Sequence, residues 1–335
     1  MVATPSILTV SIDFELFWGT RDHRSLSDYG PNVLGGRRAI PHLLELFEEF
    51  GVHATWAVVG FVLFRRKTEL EMGLPKVLPE YSTDHLSPYE DLPTIGTPSK
   101  PEEYFFAPEL VELIRRTPGQ EIASHTFSHY YCLEDGQTLR AFEEDLAAMN
   151  AVAERALRAA VTSLVFPRNQ FNEAYLTACR AAGIRAYRGN PRSWVYEAKS
   201  EREETLVRRA VRLADSYVNL TGHHAHRLSE LPSEGPVDVP ASRFLRPWSR
   251  RLRALEPMRL RRIQKDLTYS ARNGRLYHLW WHPETFGQET SQNLAFLRRV
   301  LEHFSQLRAE YGMESLAMAE VAERLRPAQR GYEPS

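Results

Sequence analysis

The chain has 335 residues, of which 43% are hydrophobic and 25% are charged, and its formal net charge is −1. This composition is ordinary for a globular protein, and the length suffices for one large α/β domain or two smaller ones. The near-neutral charge gives no basic field to attract nucleic acid, so we expect no nucleic-acid partner. Cys132 and Cys179 lie far apart and predict neither a disulfide framework nor a thiolate metal site.

The first predicted element is a strand over residues 7–12, which runs directly into two acids, Asp13 and Glu15. Side chains at i and i+2 of a strand point to the same side, so the two carboxylates converge on one small volume. Like charges that close repel unless one is protonated or a cation lies between them. The segment by itself leaves two interpretations open: a cation site, or two solvated acids where the strand enters a loop.

The next stretch of the chain predicts a βαβ unit. Its helix has apolar residues at helical spacing, ends at Gly51, and is followed by a strand over residues 53–59. The apolar positions are Ile40, Leu43, Leu44 and Phe47. Residues 67–108 contain seven prolines, which break any periodicity, and we expect an ordered loop insertion there that could cover a site.

Strand and helix patterns alternate through the rest of the chain. Helices are predicted over residues 108–116, 138–157, 173–184, 292–312 and 315–325. Strands are predicted up to residue 123, within residues 161–170, over residues 185–189 and within residues 275–284. Repeated strand-helix units predict a parallel sheet, either open or closed into a barrel.

One segment is strongly basic, although the chain as a whole is nearly neutral. Residues 243–275 hold eleven Arg and Lys against two acids, with apolar residues between them. Those apolar residues are Phe244, Leu245, Trp248, Leu252, Leu255 and Ile263. The segment could be an amphipathic surface that binds a phosphate or the face of an anionic membrane. The interpretation that we favour is an outer helix of the barrel with a solvated basic face.

Two histidines, His125 and His129, follow the predicted end of a strand. On a helical turn the i, i+4 spacing would make them face the same way, which suits chelation of a divalent ion; two hydrogen-bonded histidines are the alternative. The carboxyl ends of parallel strands share one face, where Asp13 and Glu15 also lie. Two histidines and one carboxylate suffice for a catalytic Zn²⁺ site, and the second carboxylate is then free to act as a base.

Five segments in chain order resemble the polysaccharide deacetylase (NodB-homology) family of metal-dependent amide hydrolases: "SIDFE", "HATWAVVG", "EIASHTFSH", "FPRNQFN" and "LYHLWWHPE". The resemblance spans residues 5–320, roughly, with gaps at the proline-rich stretch and near residues 195–270. It implies an α/β fold, a distorted (β/α)₇ barrel of parallel strands with loop insertions. Residues 1–335 would form a single catalytic domain, with the insertion at 67–108 and a variable basic segment at 195–275.

The resemblance also implies roles for individual residues. Glu15, His125 and His129 would hold Zn²⁺, or another divalent metal such as Co²⁺, Mn²⁺ or Ni²⁺. Asp13 would be the catalytic base, and His282 the acid that protonates the leaving amine. Glu15 stands where the family usually has Asp, so the division of roles between the two acids stays open.

Other residues are candidates with an alternative beside each. Arg168 would orient the base. A surface arginine is the alternative, because the order of Pro167 and Arg168 differs from the commoner family pattern. Trp194 would stack on a sugar or belong to the core or a lid. Tyr131 and Asn169 are candidate substrate contacts. Four further histidines lie in "GHHAHR" and "YHLWWH". We expect His223, His224 and His226 to contact substrate or to be exposed, and His278 to line the barrel.

The function that we predict is removal of an N-acetyl or other small N-acyl group from an amino sugar. The sequence shows no export signal, so we expect a cytoplasmic enzyme and a nucleotide- or lipid-linked sugar, with membrane-surface contact possible and no transmembrane segment. A deformylase or a cyclic amide or ureide hydrolase on the same fold is one alternative. A carbohydrate-binding protein without turnover is another. G-x-S-x-G, G-x-G-x-x-G and P-loop motifs are absent from the sequence.

Overall fold

The computed structural model describes residues 5–197, 205–231 and 235–325. The strands are β1 (Ile7–Phe14), β2 (Ala54–Val58), β3 (Gln120–Ser124), β4 (Ser163–Leu164), β5 (Ala186–Tyr187), β6 (His226–Arg227), β7 (Val237–Asp238), β8 (Arg243–Phe244), β9 (Arg275–Trp281) and β10 (Glu314–Ser315). The helices are α1 (Leu26–Phe50), α2 (Lys67–Glu71), α3 (Pro108–Arg116), α4 (Leu139–Leu157), α5 (Glu173–Ala181), α6 (Leu206–Asp215), α7 (Glu256–Arg272), α8 (Thr290–Tyr311) and α9 (Met318–Leu325).

The strands form a curled sheet with the parallel order β9-β1-β2-β3-β4-β5-β7. Residues 237–245 join its two ends because their backbone N–H groups bond first to the β5 side and then to β9. Val239 donates to the Tyr187 carbonyl at 2.9 Å, and Leu245 donates to the Trp280 carbonyl at 2.7 Å. The predicted distorted barrel of parallel strands is confirmed, with one addition: β6 pairs with β9 in the antiparallel sense.

Alternation along β1 separates the two sides of the sheet. Its even-numbered residues, such as Val10 and Ile12, belong to the large apolar core under the outer helices. Ile7 instead joins a second cluster, with small residues from the neighbouring strands, which fills the barrel interior below the site. Its members include Ala57, Ala123, Val165, Ala186, Val237 and Leu276, and α9 contributes Met318, Val321 and Ala322. Ser11 and Asp13, on the same side as Ile7, therefore point into the barrel.

The predicted first helix begins at Leu26, where the Ser25 side chain accepts a hydrogen bond from the Asp28 N–H and caps its start. It ends where predicted, at Gly51, whose φ of 57° is the left-handed conformation that glycine adopts at low cost. The proline-rich insertion is mostly irregular and packs against the barrel. The Trp18 indole N–H donates to the Phe105 carbonyl at 2.8 Å, and the Tyr81 hydroxyl accepts from the Tyr131 N–H.

The solvated basic face that we favoured for residues 243–275 is wrong for its central arginines. The segment does contain an outer helix, α7, and Arg261 is exposed on it. Arg259 and Arg262, however, are only 2% and 4% exposed. Each is paired with an acid one turn away, Arg259 with Glu256 and Arg262 with Asp266. A buried charge needs such a partner. The number of acids in the segment does not reveal which arginine each acid would pair with.

In the described part of the chain, none of the helices has the length and apolar content that crossing a bilayer requires.

We expect Gly35→Ala to destabilise the protein by about 1–3 kcal/mol, the usual cost of overpacking. A Cβ at Gly35 would overlap the backbone of Gly287, where α1 meets the turn that follows His282. Helix propensity alone predicts the opposite sign, a gain of about 1 kcal/mol. Denaturant unfolding of Gly35→Ala beside Arg38→Ala, an exposed position on the same helix, decides between the two; a stabilised glycine variant would contradict the packing argument.

Candidate active site

Three buried side chains meet at the carboxyl ends of β1 and β3. Glu15 follows β1, and His125 and His129 lie in the loop after β3. The Nε2 atoms of the two histidines are 3.2 and 3.1 Å from the same carboxylate oxygen of Glu15, Oε2. Among the described residues, these three form the one group of histidine, cysteine and acidic side chains close enough to hold a metal ion.

The loop that carries the histidines is not the helical turn that the i, i+4 spacing suggested. Thr126 and His129 instead adopt positive φ angles of 61° and 59°, an uncommon conformation for residues with side chains. Asp145 of α4 holds the loop by accepting hydrogen bonds from the backbone N–H groups of Phe127 and Ser128, at 2.6 and 3.0 Å. Such local strain is typical of functional sites, where the surrounding structure enforces it.

Hydrogen bonds on the far side of each ring fix which nitrogen faces Glu15. The His125 Nδ1 must donate, because its partner at 2.8 Å is the Val165 carbonyl. The His129 Nδ1 donates to the Tyr131 hydroxyl at 3.2 Å, since that hydroxyl in turn donates to Asp22 at 2.8 Å. In the neutral rings, both Nε2 atoms therefore direct lone pairs towards Glu15.

This arrangement of donors fits a divalent cation. Two lone pairs aimed at an ionised carboxylate repel it unless a cation or protons lie between them. Burial opposes ionisation of Glu15, yet positive charge on the neighbouring histidines, first of all His282, holds its pKa well below the usual range, as a bound cation in their midst would. Burial lowers the pKa of His129, which favours the neutral ring that metals bind. Two imidazoles and a carboxylate suit Zn²⁺, and imidazole also suits several other transition metals.

Asp13 lies beside this group but is engaged differently. Its two oxygens accept hydrogen bonds from the Arg188 guanidinium, each at 2.7 Å. Burial alone would raise the pKa of Asp13, but Arg188 outweighs it and the pKa is lowered. Arg188 also donates to the Ser11 hydroxyl at 3.1 Å and stacks over Trp280. Asp13 is thus an oriented anion, and Glu15 is the acid that faces both histidines.

His282, at the end of β9, reaches the same centre from the opposite side. Its Nε2 is 3.5 Å from a Glu15 oxygen and 3.7 Å from an Asp13 oxygen. Its side chain is 25% exposed, so it borders open space, whereas the metal-site histidines are buried. The rings of Phe244 and Trp280 lie 5.8 and 5.6 Å from the His282 ring and form an aromatic wall beside it.

Arg168 does not hold the place expected for it. It donates to Asp22 and Glu134 and stacks on the Tyr131 ring at 4.3 Å, while the guanidinium on Asp13 belongs to Arg188. The reason is strand geometry: Arg188 follows β5 two residues after Ala186, which points into the barrel. The sequence "RAYRG" could have predicted this placement, because side chains at i and i+2 of a strand, here Ala186 and Arg188, point to the same side.

Of the three predicted substrate contacts, one lines the cavity beside His282 and the other two do not. The Asn169 side-chain oxygen accepts from Arg188 at 3.0 Å, and the residue lines a cavity beside His282. Tyr131 is buried behind His129, where it fixes the ring. Trp194 is 59% exposed and borders a shallow depression next to the cavity beside His282, so the aromatic wall of that cavity is built by Phe244 and Trp280 instead.

The remaining histidines are held in hydrogen bonds of their own. His278 is buried in the barrel, as predicted: it donates to the Val239 carbonyl at 3.0 Å, and burial lowers its pKa to about 3. Its other nitrogen contacts the Ser11 hydroxyl at 2.8 Å. The "GHHAHR" histidines lie elsewhere: His223 contacts Asp266 at 2.7 Å and stacks on Tyr269, His224 contacts Thr221, and His226 begins β6.

Comparisons with known proteins agree with this architecture. Residues 26–187 match the family model described as polysaccharide deacetylase. A crystal structure of a Mycobacterium smegmatis protein assigned to the polysaccharide deacetylases is 14% identical, with a TM-score of 0.60 over 99% of this chain and 96% of that one. Puue allantoinase is 9% identical, with a TM-score of 0.55 over 99% and 94%. At these identities the structural likeness concerns the fold alone. A search of the curated proteins found no match.

A parallel barrel with two histidines and two acids at the carboxyl ends of its strands is the architecture of a barrel hydrolase. The matched stretch is slightly less than half of the chain, and over that stretch the sequence is similar to the polysaccharide deacetylases. The matched stretch contains His125 and His129 but ends before Arg188 and His282 and begins after Glu15. The placement of those residues at the site therefore comes from the structure.

We expect Arg188→Met to lower the free energy of unfolding by about 3–5 kcal/mol, because it leaves the Asp13 carboxylate buried without its partner. Arg298→Met is the matched control: Arg298 makes a bidentate pair with Glu49, but both side chains are nearly half exposed, and about 0–1 kcal/mol is expected. Denaturant unfolding measures both. Equal costs for the two variants, or full additivity of Arg188→Met with Asp13→Asn, would contradict the buried pair.

Proposed function

We propose that the protein is a metal-dependent deacetylase that removes an N-acetyl or other small N-acyl group from an amino sugar. The observation that carries the proposal is the convergence of the two Nε2 lone pairs on Glu15, beside a partly exposed histidine, His282, that lies within 4 Å of both Glu15 and the second, oriented acid, Asp13. Hydrolysis of an amide needs these parts: a charge to polarise the carbonyl, a base for water, and an acid for nitrogen.

Glu15, His125 and His129 would hold the ion, with Zn²⁺ the first candidate and Co²⁺, Mn²⁺ or Ni²⁺ the alternatives. When bound, a divalent ion supplies Lewis-acid polarisation of a carbonyl and lowers the pKa of water. The contacts of Tyr131 and Val165 to the outer ring nitrogens keep both imidazoles in the orientation that the ion requires.

Asp13 is the base in this proposal. It is ionised, and the two-pronged contact from Arg188 fixes the plane of its carboxylate. Each carboxylate oxygen has two acceptor positions, so the contact with Arg188 leaves one on each oxygen to accept a proton from water. Arg188 acts as a positioning residue, because it touches Asp13 and not the reacting atoms.

His282 supplies the proton that the leaving nitrogen needs, from Nε2. It borders a cavity of about 610 Å³, also lined by Trp280, Phe244 and Asn169. That volume lies within the range of small-molecule sites, about 300–1,000 Å³, and supports a substrate the size of a sugar. Aromatic faces next to polar side chains suit a sugar ring, which presents both C–H faces and hydroxyls.

The finer parts of the proposal are that the enzyme is cytoplasmic and that its amino sugar is linked to a nucleotide or a lipid. The alternatives make different products: a deformylase releases formate, a cyclic amide hydrolase opens a ring, and a carbohydrate-binding protein releases nothing. A panel of N-acetylated, N-formylated and cyclic substrates with added Zn²⁺, Co²⁺ or Mn²⁺ separates them by product.

We expect chelation to abolish acetate release and a divalent ion to restore it. His125→Ala is expected to lose the bound ion and at least about 100-fold in acetate release, since even residues that only support metal ligands contribute 10- to 100-fold. His42→Ala, an exposed histidine on α1, is the control and keeps both. Metal analysis and acetate assays test this; a purified protein without any divalent ion, or a fully active His125→Ala, would overturn it.

We expect His282→Asn to lower kcat/KM on an N-acetylated sugar by about 10²- to 10⁴-fold, the usual contribution of general acid catalysis. The loss on 4-nitrophenyl acetate is expected to be much smaller, because its leaving group departs without a proton. His125→Ala provides the contrast, since loss of a metal ligand affects both substrates. If His282→Asn reduced both rates equally, His282 would not be the acid.

A further inference from the structure

The cavity beside His282 continues away from the catalytic centre towards α6. It is lined by His282, Trp280 and Asn169 of the active site, and also by Arg246 and by Arg209 and Arg212 of α6. Phe244 and Arg246 are two residues apart on the extended segment that closes the barrel, so their side chains lie on the same side, about 6.6 Å apart along the chain. The aromatic wall and the arginines thus form one continuous surface.

Arg246 is unlike the buried arginines around it. Each of those arginines pairs with an acid. Arg243 pairs with Asp215 and Asp266, Arg259 pairs with Glu256, and Arg262 pairs with Asp266. Arg246 is partly buried, and its guanidinium Nε donates to the Ser216 hydroxyl at 3.1 Å. Within the described ranges, no carboxylate lies within ion-pair distance of it.

Among the residues that the structure describes, the charge of Arg246 therefore has no counter-ion. Burial lowers the pKa of Arg246, and the neighbouring Arg212 and Arg259 add to the effect. A partly desolvated cation beside other cations is costly unless an anion joins it. Arg209, on the same cavity, is exposed and likewise has no ion pair among the described residues, whereas Glu197 is the acid in the lining.

We propose that Arg246, with Arg209 and Arg212, binds a phosphate group carried by the amino-sugar substrate. This inference rests on the proposed deacetylase function and names the chemical class of its substrate. A guanidinium presents a planar fork that matches phosphate oxygens, and several arginines around one cavity suit a phosphodiester or pyrophosphate better than a single carboxylate. The sugar would then lie against Trp280 and Phe244, with its acyl group at His282.

The test compares wild-type protein, Arg246→Met, Arg246→Lys and the exposed control Arg253→Met. The substrates are N-acetylglucosamine, its 1-phosphate, its nucleoside diphosphate conjugate and its polyprenyl phosphate conjugate in detergent micelles. We expect phosphate-bearing substrates to have the higher kcat/KM through a lower KM. Arg246→Met should reduce that preference about 10- to 100-fold, Arg246→Lys should restore part of it, and Arg253→Met should leave it unchanged.

Which conjugate is preferred distinguishes a nucleotide carrier from a lipid carrier. Equal kcat/KM for free and phosphorylated sugar, or an equal loss on both in Arg246→Met, would overturn the phosphate site. If no substrate is hydrolysed, the proposed function fails, but the phosphate site remains testable. Calorimetric titration with pyrophosphate then decides: binding that Arg246→Met removes and Arg253→Met keeps supports the site, and absence of binding to wild-type protein contradicts it.

Discussion

The site depends on the register of β1. This strand pairs with β2 on one side and β9 on the other, and it is buried along its whole length. A shift of one residue would turn Asp13 and the interior residues below it towards the outer helices and bring apolar side chains into the barrel. Pairing on both sides prevents that slip, so the strand can end in two acids that would repel each other in a looser structure. The apolar helices outside the sheet thus stabilise a polar centre on its other side.

The two acids avoid mutual repulsion by having different partners. Asp13 is neutralised from inside the barrel by Arg188, and Glu15 faces two histidines whose other nitrogens are already bonded. Arg188 compensates chiefly Asp13, whereas the ring lone pairs that face Glu15 call for a cation there, and His282 lies within 4 Å of both acids. In a polar cluster that is this deeply buried, these different partners would allow an ion site and a proton acceptor to lie side by side.

Periodicity in the sequence was sufficient to predict a parallel sheet and to bring Asp13, Glu15, His125 and His129 to one edge, while the family resemblance implied the closed barrel and the role of His282. It was insufficient wherever a partner came from a distant element. Arg188, the partner of Asp13, follows a strand of only two residues, which gives little periodicity. Arg168 was predicted for that role instead, because it lies in a segment that resembles the family pattern. The conformation of the histidine loop depends on Asp145, 16 positions after His129. The buried arginines of residues 243–275 could not be recognised as buried, because their acids lie partly on α6, outside the segment that was counted.

The segment of residues 237–245 both closes the barrel and leads directly into Arg246. Its backbone bonds to two strands, while Phe244 and the arginine after it face the cavity. Relatives that differ in substrate would have to change this stretch without losing the hydrogen bonds that join the sheet ends. A side chain that faces the cavity, such as Phe244, can be exchanged there, but an insertion or deletion would break the hydrogen bonds that join the sheet ends. Divergence of specificity in this protein is therefore confined to substitution on a backbone of fixed length, whereas the proline-rich insertion can vary in length.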